Sequence, residues 1–368
     1  MIVPRETSFD GAPSDDEVEV TVLGPGYGEC VLVHVGGRWM VIDSYETATG
    51  EQHPALKYLE FRLVPLTAVQ WLVATHWHDD HVGDFDRLVE RLPDIPIVVS
   101  AAMDQGELLS GLLRIPSAEH RSNGVAVFQR VSEIADDRDS GLEFGKAGVP
   151  LVLRDLPVGI GGRLDLLSPS SSTMQHGFEQ VSRLLRVVAD GHRVRVPRPR
   201  RNHLAVAGWF RAQWQPSDEP PGEEVSILLG ADLEVTAHPR RGWKSVHRGP
   251  FRPSGIATAV KAAHHGSLNG FHPPFWRDSV DPSAIVVIAP WRRAGRQLPT
   301  AAGVERLKAT AGTILVTSMV REVQEVRNGR VRVVEEDLPG RVTLRRKLGK
   351  YGQETSWTYE LGDAARAL

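Results

Sequence analysis

Cysteine is nearly absent: Cys30 is the only one among 368 residues. An intrachain disulfide is therefore excluded, as are zinc clusters built on several thiolates, and Cys30 is expected to serve as a small buried hydrophobe. An excess of charge of one sign is also lacking. Lys and Arg number 43 against 46 Asp and Glu, a formal net charge of −3. No global positive field then argues for nucleic acid or an anionic membrane, and any such partner has to be read from local charge. No stretch has the length and apolarity of a membrane span, and Met1-Ile2-Val3-Pro4-Arg5-Glu6 lacks the apolar core of a secretion signal, so a cytoplasmic chain with no membrane partner is expected. What is present, 41% hydrophobic and 24% charged residues, is the make-up of a chain that folds into a packed body.

Residues 1–17 are polar and proline-bearing and read as a loose tail, with the folded domain expected over 18–345 and a C-terminal extension over 346–368. From Val18 to Leu23 the chain alternates as a strand does. It turns through Gly24-Pro25-Gly26-Tyr27-Gly28, and two more strands follow, Val31 to Val35 and Trp39 to Ile42, about the turn Gly36-Gly37: a β-meander. A helix is predicted over Pro54 to Phe61 and a strand over Trp71 to Ala74. Phe85, Leu88, Val89 and Leu92 share one face of a further helix, and Pro96 to Ser100 resembles the next strand. Such alternation points to α/β layers. The acidic, proline-rich stretch 212–224 reads as a hairpin loop between Ala205-Val206-Ala207 and Ile227-Leu228-Leu229. Residues 183–201 form a basic loop with Arg198, Arg200 and Arg201 at its end; it can contact anionic oxygens of a substrate or lie solvated, and composition leaves both open.

The chemistry is concentrated in His76-Trp77-His78-Asp79-Asp80-His81, at the point where a strand gives way to a helix. His76 and His78 are two apart in extended chain, so both rings emerge on one side and can chelate one ion, while Asp80 and His81 can serve a neighbouring one. Imidazole and carboxylate donors suit zinc best and manganese acceptably. An apolar strand ending Gly230-Ala231-Asp232 and a second ending His264-His265-Gly266-Ser267 complete the set. Adjacent histidines on a strand point to opposite faces, so the residues alone leave open which of His264 and His265 enters the site. In this order the three segments compose a dinuclear site.

HxHxDH after a strand, then a strand ending Gly-Ala-Asp, then HHGS, resembles the metallo-β-lactamase superfamily, and within it the soluble hydrolase domain of the ComEC DNA-uptake proteins and their stand-alone relatives. The turn Val22 to Glu29, the Ile42-Asp43-Ser44 turn, the strand Ala284 to Ile288, Leu298-Pro299-Thr300 and the helix about Val304 to Leu307 are similar to that group as well, so the likeness runs over about residues 18–320. It implies an αββα sandwich of two mixed sheets flanked by helices, with metals at the sheet edge. It also implies that His76 and His78 hold one ion, that Asp80, His81 and His265 hold the other with His264 in a lesser role, and that Asp232 bridges the two. Asp80 and Asp232 are then the catalytic carboxylates, Asp43 orders a loop beside the ions, and two divalent ions, Zn2+ or Mn2+, are the cofactors. One departure stands out. Where many relatives have a histidine shortly before the Asp strand, this chain has Asn202, similar to the ComEC-like asparagine, followed by His203.

The expected activity is metal-dependent hydrolysis by a metal-bridging hydroxide formed between ions roughly 3.5–4 Å apart, with no Ser or Cys nucleophile. A phosphodiesterase or nuclease comes first, with nucleic acid or another phosphodiester as partner and Arg198, Arg200, Arg201 and Asn202 as substrate contacts. A lactone, thioester or β-lactam hydrolase on the same core is the alternative. A binding or regulatory module that keeps the metal without turnover is the reading from a different class.

Overall fold

The structure is a computed structural model and describes residues 4–48, 51–103, 123–138, 141–177, 179, 202–327 and 330–368. Its central strands are apolar on both faces. In Cys30–Val35 every residue is buried: Val31, Val33 and Val35 face one core while Cys30 and Leu32 face another, the period of two that a pleated strand imposes. Met40 and Ile42 divide from Trp39 and Val41 in the same way, as do Ile285 and Val287 from Val286 and Ile288. A strand covered on both faces needs a layer on each side, which is the condition for stacked sheets with outer helices.

Two mixed sheets meet that condition. Across the first the strands run Arg5–Glu6, Thr358–Asp363, Gly340–Lys347, Glu17–Gly24, Cys30–Val35, Arg38–Ile42, Val69–Ala74, Ile97–Ser100 and Leu142–Gly145. Across the second they run Arg366–Ala367, Thr313–Val316, Val280–Ile288, Ala257–Lys261, Val225–Leu229, Gly208–Trp214, Ile160–Leu166 and Pro150–Val152. Val20, Val22, Val31, Val33 and Met40 of the first sheet belong to one core with Leu164, Phe210, Ile227, Ile285 and Val287 of the second. The helices Pro54–Phe61, Phe85–Arg91 and Asn123–Asp136 contribute to the outer core of the first sheet, and Trp243–Arg248, Pro273–Ser279 and Ala301–Lys308 to that of the second. The fold is an α/β, αββα sandwich.

The meander and the helix at Pro54–Phe61 lie where the sequence places them. The hairpin about the acidic loop is shifted: its first strand is Gly208–Trp214, antiparallel to Val225–Leu229, with Ala205-Val206-Ala207 lying before it. The ends of the expected domain shift too. Arg5–Glu6, within the expected tail, pairs in parallel with Thr358–Asp363, and residues beyond 345 add a strand to each sheet, Thr358–Asp363 to the first and Arg366–Ala367 to the second. Polar composition hid this, because an edge strand needs backbone partners more than apolar side chains.

Two buried histidines away from the sheet ends are held neutral. Gly37 N–H donates to His34 Nε2 at 2.9 Å, so Nδ1 carries the proton and donates to the Glu17 carbonyl at 3.1 Å. Ala55 N–H donates to His53 Nδ1 at 3.2 Å, and His53 Nε2 meets Ser44 Oγ at 2.6 Å. A second proton on either ring would set N–H against N–H. Burial accordingly pushes both rings from 6.5 down to about 3. In the unfolded chain the same rings take up a proton as the pH falls through about 6.5, so the native state has its full advantage above that value and loses about 1.4 kcal/mol per ring and pH unit below it, down to about pH 3. The free energy of urea unfolding should drop by about 3 kcal/mol between about pH 7.5 and about pH 5.5 through these two rings, and His34→Gln should remove about half of that dependence. A variant with the wild-type pH dependence would contradict the assignment.

Candidate metal centre

The residues of interest sit on turns at one end of the two sheets. After Val69–Ala74 the chain stays extended through His78 and then makes the single helical turn Asp79–Val82. That turn is tied to the neighbouring loops by backbone bonds: Glu29 N–H donates to the Asp80 carbonyl at 3.0 Å and Ser44 N–H to the His81 carbonyl at 2.8 Å. Gly28 makes this approach possible. Its φ is +101°, and a Cβ there would stand 2.9 Å from the Asp80 carbonyl oxygen and 2.5 Å from the Tyr45 Cβ. From the second sheet, Val225–Leu229 leads through Gly230 to Ala231 and Asp232, and Ala257–Lys261 leads to His264 and His265. Asp43, Ala231, His264 and His265 all have positive φ, between 43° and 60°. Left-handed backbone in non-glycine residues costs of order 1 kcal/mol each, and here it gathers around one point.

At that point His81 is fully buried, with His265 at 1% and Asp232 at 2% exposure. His81 Nε2 lies 3.2 Å from Asp232 Oδ1, His265 Nε2 lies 3.6 Å from the same oxygen and 3.3 Å from Asp80 Oδ2, and His76 Nε2 lies 3.7 Å from Asp232 Oδ2. His76 Nε2 and His78 Nδ1 are 3.1 Å apart. Among the described residues three groups bring donor atoms close enough to surround an ion: Asp80-His81-Asp232-His265 and His76-His78-Asp232, which share Asp232, and Glu29-Asp43-His81 on the far side of the His81 ring.

The far sides of the rings are fixed. Asp43 Oδ2 accepts from His81 Nδ1 at 2.7 Å and from Thr75 Oγ1 at 2.7 Å, while Oδ1 accepts from Thr75 N–H at 2.7 Å. His265 Nδ1 donates to the Ala289 carbonyl at 2.9 Å. With the proton on Nδ1 in both rings, each Nε2 presents its lone pair inward. A buried pair lies beneath them: Lys261 Nζ bonds Glu29 Oε1 and the Ala231 carbonyl, and the Glu29 carboxylate stands 3.7 Å from His81 Nδ1 and 3.5 Å from His265 Nδ1.

The electrostatics and the hydrogen bonding both fit divalent cations. Burial works against ionisation of Asp80 and Asp232, yet His265 and His81 beside them outweigh it and hold both carboxyls well below the usual range. Burial also works against charge on His81, and Asp232, Glu29 and Asp43 outweigh it, raising that ring. His81 Nε2 and Asp232 Oδ1 are 3.2 Å apart, yet neither has a hydrogen-bond partner. Buried polar atoms left this way cost of order 1–3 kcal/mol unless something else binds them, and imidazole nitrogen with carboxylate oxygen is the donor set of zinc and manganese sites.

The structure brings His76, His78, Asp80, His81, Asp232 and His265 together. His264 stands apart from these groups, its Nε2 4.0 Å from Asp232 and its Nδ1 held by Ser267 Oγ at 2.8 Å, Asn269 Oδ1 at 3.0 Å and Glu234 Oε1 at 3.1 Å. Opposite strand faces are not what divides the two histidines, because the strand stops at Lys261 and both adopt left-handed backbone. Asn202 is buried at the cleft wall and donates to Glu234 Oε1 at 3.1 Å. The His203 ring lies beside His176, 5.9 Å between centroids. Arg198, Arg200 and Arg201 lie outside the described residues. Trp77 packs edge-on against Phe128 with centroids 4.3 Å apart and also borders the cleft. Sequence reasoning missed Glu29, Lys261 and Glu234; the signal for the first pair was a lysine closing the otherwise apolar strand Ala-Thr-Ala-Val-Lys.

Stacked sheets with carboxylate and imidazole donors converging at their ends form a candidate metal centre. Residues 23–164 match the family model described as the Metallo-beta-lactamase superfamily, a segment that includes His76, His78, Asp80 and His81. Ribonuclease J of Mycolicibacterium smegmatis is 32% identical over 115 residues, 28% of this chain and 19% of that protein. A UPF0173 metal-dependent hydrolase of Cupriavidus necator is 30% identical over 114 residues, 31% of this chain and 36% of that one. The chain thus spans well under half the length of either curated relative. Among solved structures, a subclass B3 metallo-beta-lactamase from a soil metagenome library aligns over 72% of this chain and 83% of its own at 14% identity, with a TM-score of 0.35. Over these segments the chain is similar to metallo-β-lactamase superfamily proteins.

Asp232 is shared by two donor groups, so Asp232→Ala should lose both ions by elemental analysis, and full metal content in that variant would remove it from the site. His265→Ala should lose the ion of the Asp80 group, whereas His264→Ala should retain both, since its ring is anchored outside the donor groups; the reverse result would exchange their assignments. Lys261→Met should destabilise the fold by about 3–5 kcal/mol in urea unfolding, because Glu29 would keep a buried charge with no cation against it.

Proposed function

We propose that the chain is a phosphodiesterase or nuclease of the ComEC-like kind that works with two divalent ions, Zn2+ or Mn2+, in the cytoplasm. The observation that carries this reading is the cleft above the donor groups. It has a volume of about 1030 Å³, opens to solvent, and has Asp80, Asp232 and His265 on its floor. That space is at the upper end of what small-molecule sites occupy and leaves room for groups on either side of a scissile bond. The similarity to Ribonuclease J over 115 residues points the same way.

On this reading His76, His78 and Asp232 hold one ion and Asp80, His81, His265 and Asp232 the other. When bound, such ions supply Lewis acidity and bring the pKa of water near 7. The chain's own groups do the rest. Asp43 and the Ala289 carbonyl fix the His81 and His265 rings so that their Nε2 atoms stay turned inward. His264, with Nδ1 held by Glu234, Asn269 and Ser267, keeps Nε2 toward the cleft, where it can pass a proton to a departing oxygen. Asn202 holds Glu234 in place for that contact.

The test is a substrate panel on the metal-loaded chain: methyl p-nitrophenyl phosphate, a single-stranded oligonucleotide, a γ-lactone, a thioester and a chromogenic cephalosporin. Turnover of the two phosphodiesters, abolished by chelation and lowered roughly 10²–10⁴-fold in His264→Ala, is the expected outcome. Turnover confined to the lactone, thioester or cephalosporin would overturn the proposal in favour of the second kind of hydrolase, and inertness toward all five in favour of a binding module.

A further inference from the structure

One wall of the cleft belongs to a small hairpin that neither the sequence reading nor the proposed chemistry uses. Trp291–Arg293 pairs with Arg296–Leu298 around the two-residue turn Ala294-Gly295, whose φ values of 52° and 73° are those of a type I′ connection. The register sets Trp291 against Leu298 and Arg293 against Arg296. Residues two apart along a strand, and residues directly opposite, share a face, so Trp291, Arg293, Arg296 and Leu298 stand on one side and Arg292 and Gln297 on the other. All four on the first side line the cleft. The hairpin is fastened to the first sheet's glycine turn, with Arg292 N–H donating to the Gly26 carbonyl at 2.7 Å.

That turn carries Tyr27, which completes the wall. Its ring lies 6.1 Å from that of Trp291, and the Arg293 guanidinium sits over it at 4.7 Å, bonds its hydroxyl, and stands 3.7 Å from Asp79 Oδ2. Arg293 is thereby held in one orientation beside the floor. Arg296, across the pair from it, is exposed and has no ion-pair partner among the described residues. A partly open indole with two guanidiniums on the same face offers what a nucleotide needs: a flat apolar surface for a base and forked cations for the phosphates on either side of it.

Resting on the phosphodiesterase reading, we propose that the hairpin Trp291 to Leu298, with Tyr27, is a subsite for one nucleotide of a single-stranded nucleic acid, its base stacked on Trp291 and its phosphates met by Arg293 and Arg296. The subsite is tolerant of sequence, because every base has a stacking face and nothing on this wall is arranged to read a base edge. It gives the enzyme a preference for polymeric over simple diesters.

The experiment measures kcat/KM of the metal-loaded full chain on a single-stranded oligonucleotide and on methyl p-nitrophenyl phosphate, which has no nucleobase. In Trp291→Ala the ratio of the two values should fall roughly 5- to 150-fold, mainly through KM for the oligonucleotide, and Trp291→Phe should recover most of it. Arg296→Gln should lower by about one the slope of log affinity against log salt for the oligonucleotide, measured by fluorescence anisotropy. A ratio and slope unchanged in these variants would overturn the subsite. If the wild-type chain turned over neither substrate, the phosphodiesterase reading would fall by itself; anisotropy would still decide the subsite, upheld by oligonucleotide binding that Trp291→Ala weakens and overturned by no binding.

Discussion

A carboxylate stripped of water at the junction of two sheets governs this structure. Asp232 is 2% exposed, and its Oδ1 has no hydrogen-bond donor although three imidazoles crowd around the group. Desolvating such a charge costs several kcal/mol, and only positive charge close by offsets it. Asp80 poses the same demand a few ångströms away. His81 and His265 meet part of it, and cations held between these groups are what the remaining lone pairs call for.

The same demand explains why backbone strain and the buried ion pair are found here. Each donor is carried on the end of a strand, and a strand cannot turn its last side chain sideways into a shared point without leaving extended geometry. Ala231, His264 and His265 do so by adopting positive φ, as does Asp43, whose two oxygens then bind Thr75 and His81 together. Lys261 supplies the counter-charge for Glu29, which would otherwise add a further uncompensated carboxylate under His81 and His265. The electrostatic problem and its structural supports are one arrangement spread over both sheets.

How much of this was legible in the sequence depends on how far apart the partners lie. His76, His78, Asp80 and His81 declare themselves because the chelating groups are contiguous, with the extended period of two setting His76 and His78 on one side and the helical turn carrying Asp80 and His81. The layers were legible from the alternation of strand-like and helix-like segments, such as Trp71 to Ala74 followed by the apolar face of Phe85, Leu88, Val89 and Leu92. Asp232 and His265 became readable only through their motif order, and the rule of opposite strand faces failed at His264 because the strand ends three residues earlier. Glu29 and Lys261 were not legible, since each looks ordinary until its partner 232 positions away is known. Arg293 and Arg296 were missed for a related reason. Composition drew attention to the longer run of arginines at 183–201, whereas a two-residue turn decides which arginines share a face with Trp291.

The pairing of Glu17–Gly24 with Gly340–Lys347 has a consequence for how the molecule is made. These strands are neighbours in the middle of the first sheet, though more than 300 residues of chain separate them. Val18, Val20, Val22 and Leu23 are all buried in the finished protein. On a ribosome adding about 5–20 residues per second, that strand is made on the order of tens of seconds before its partner. During the wait it is an open, apolar sheet edge, the kind of surface that pairs with the wrong chain. Assembly of this fold is therefore a non-local and slow event, closed only when Gly340–Lys347 arrives.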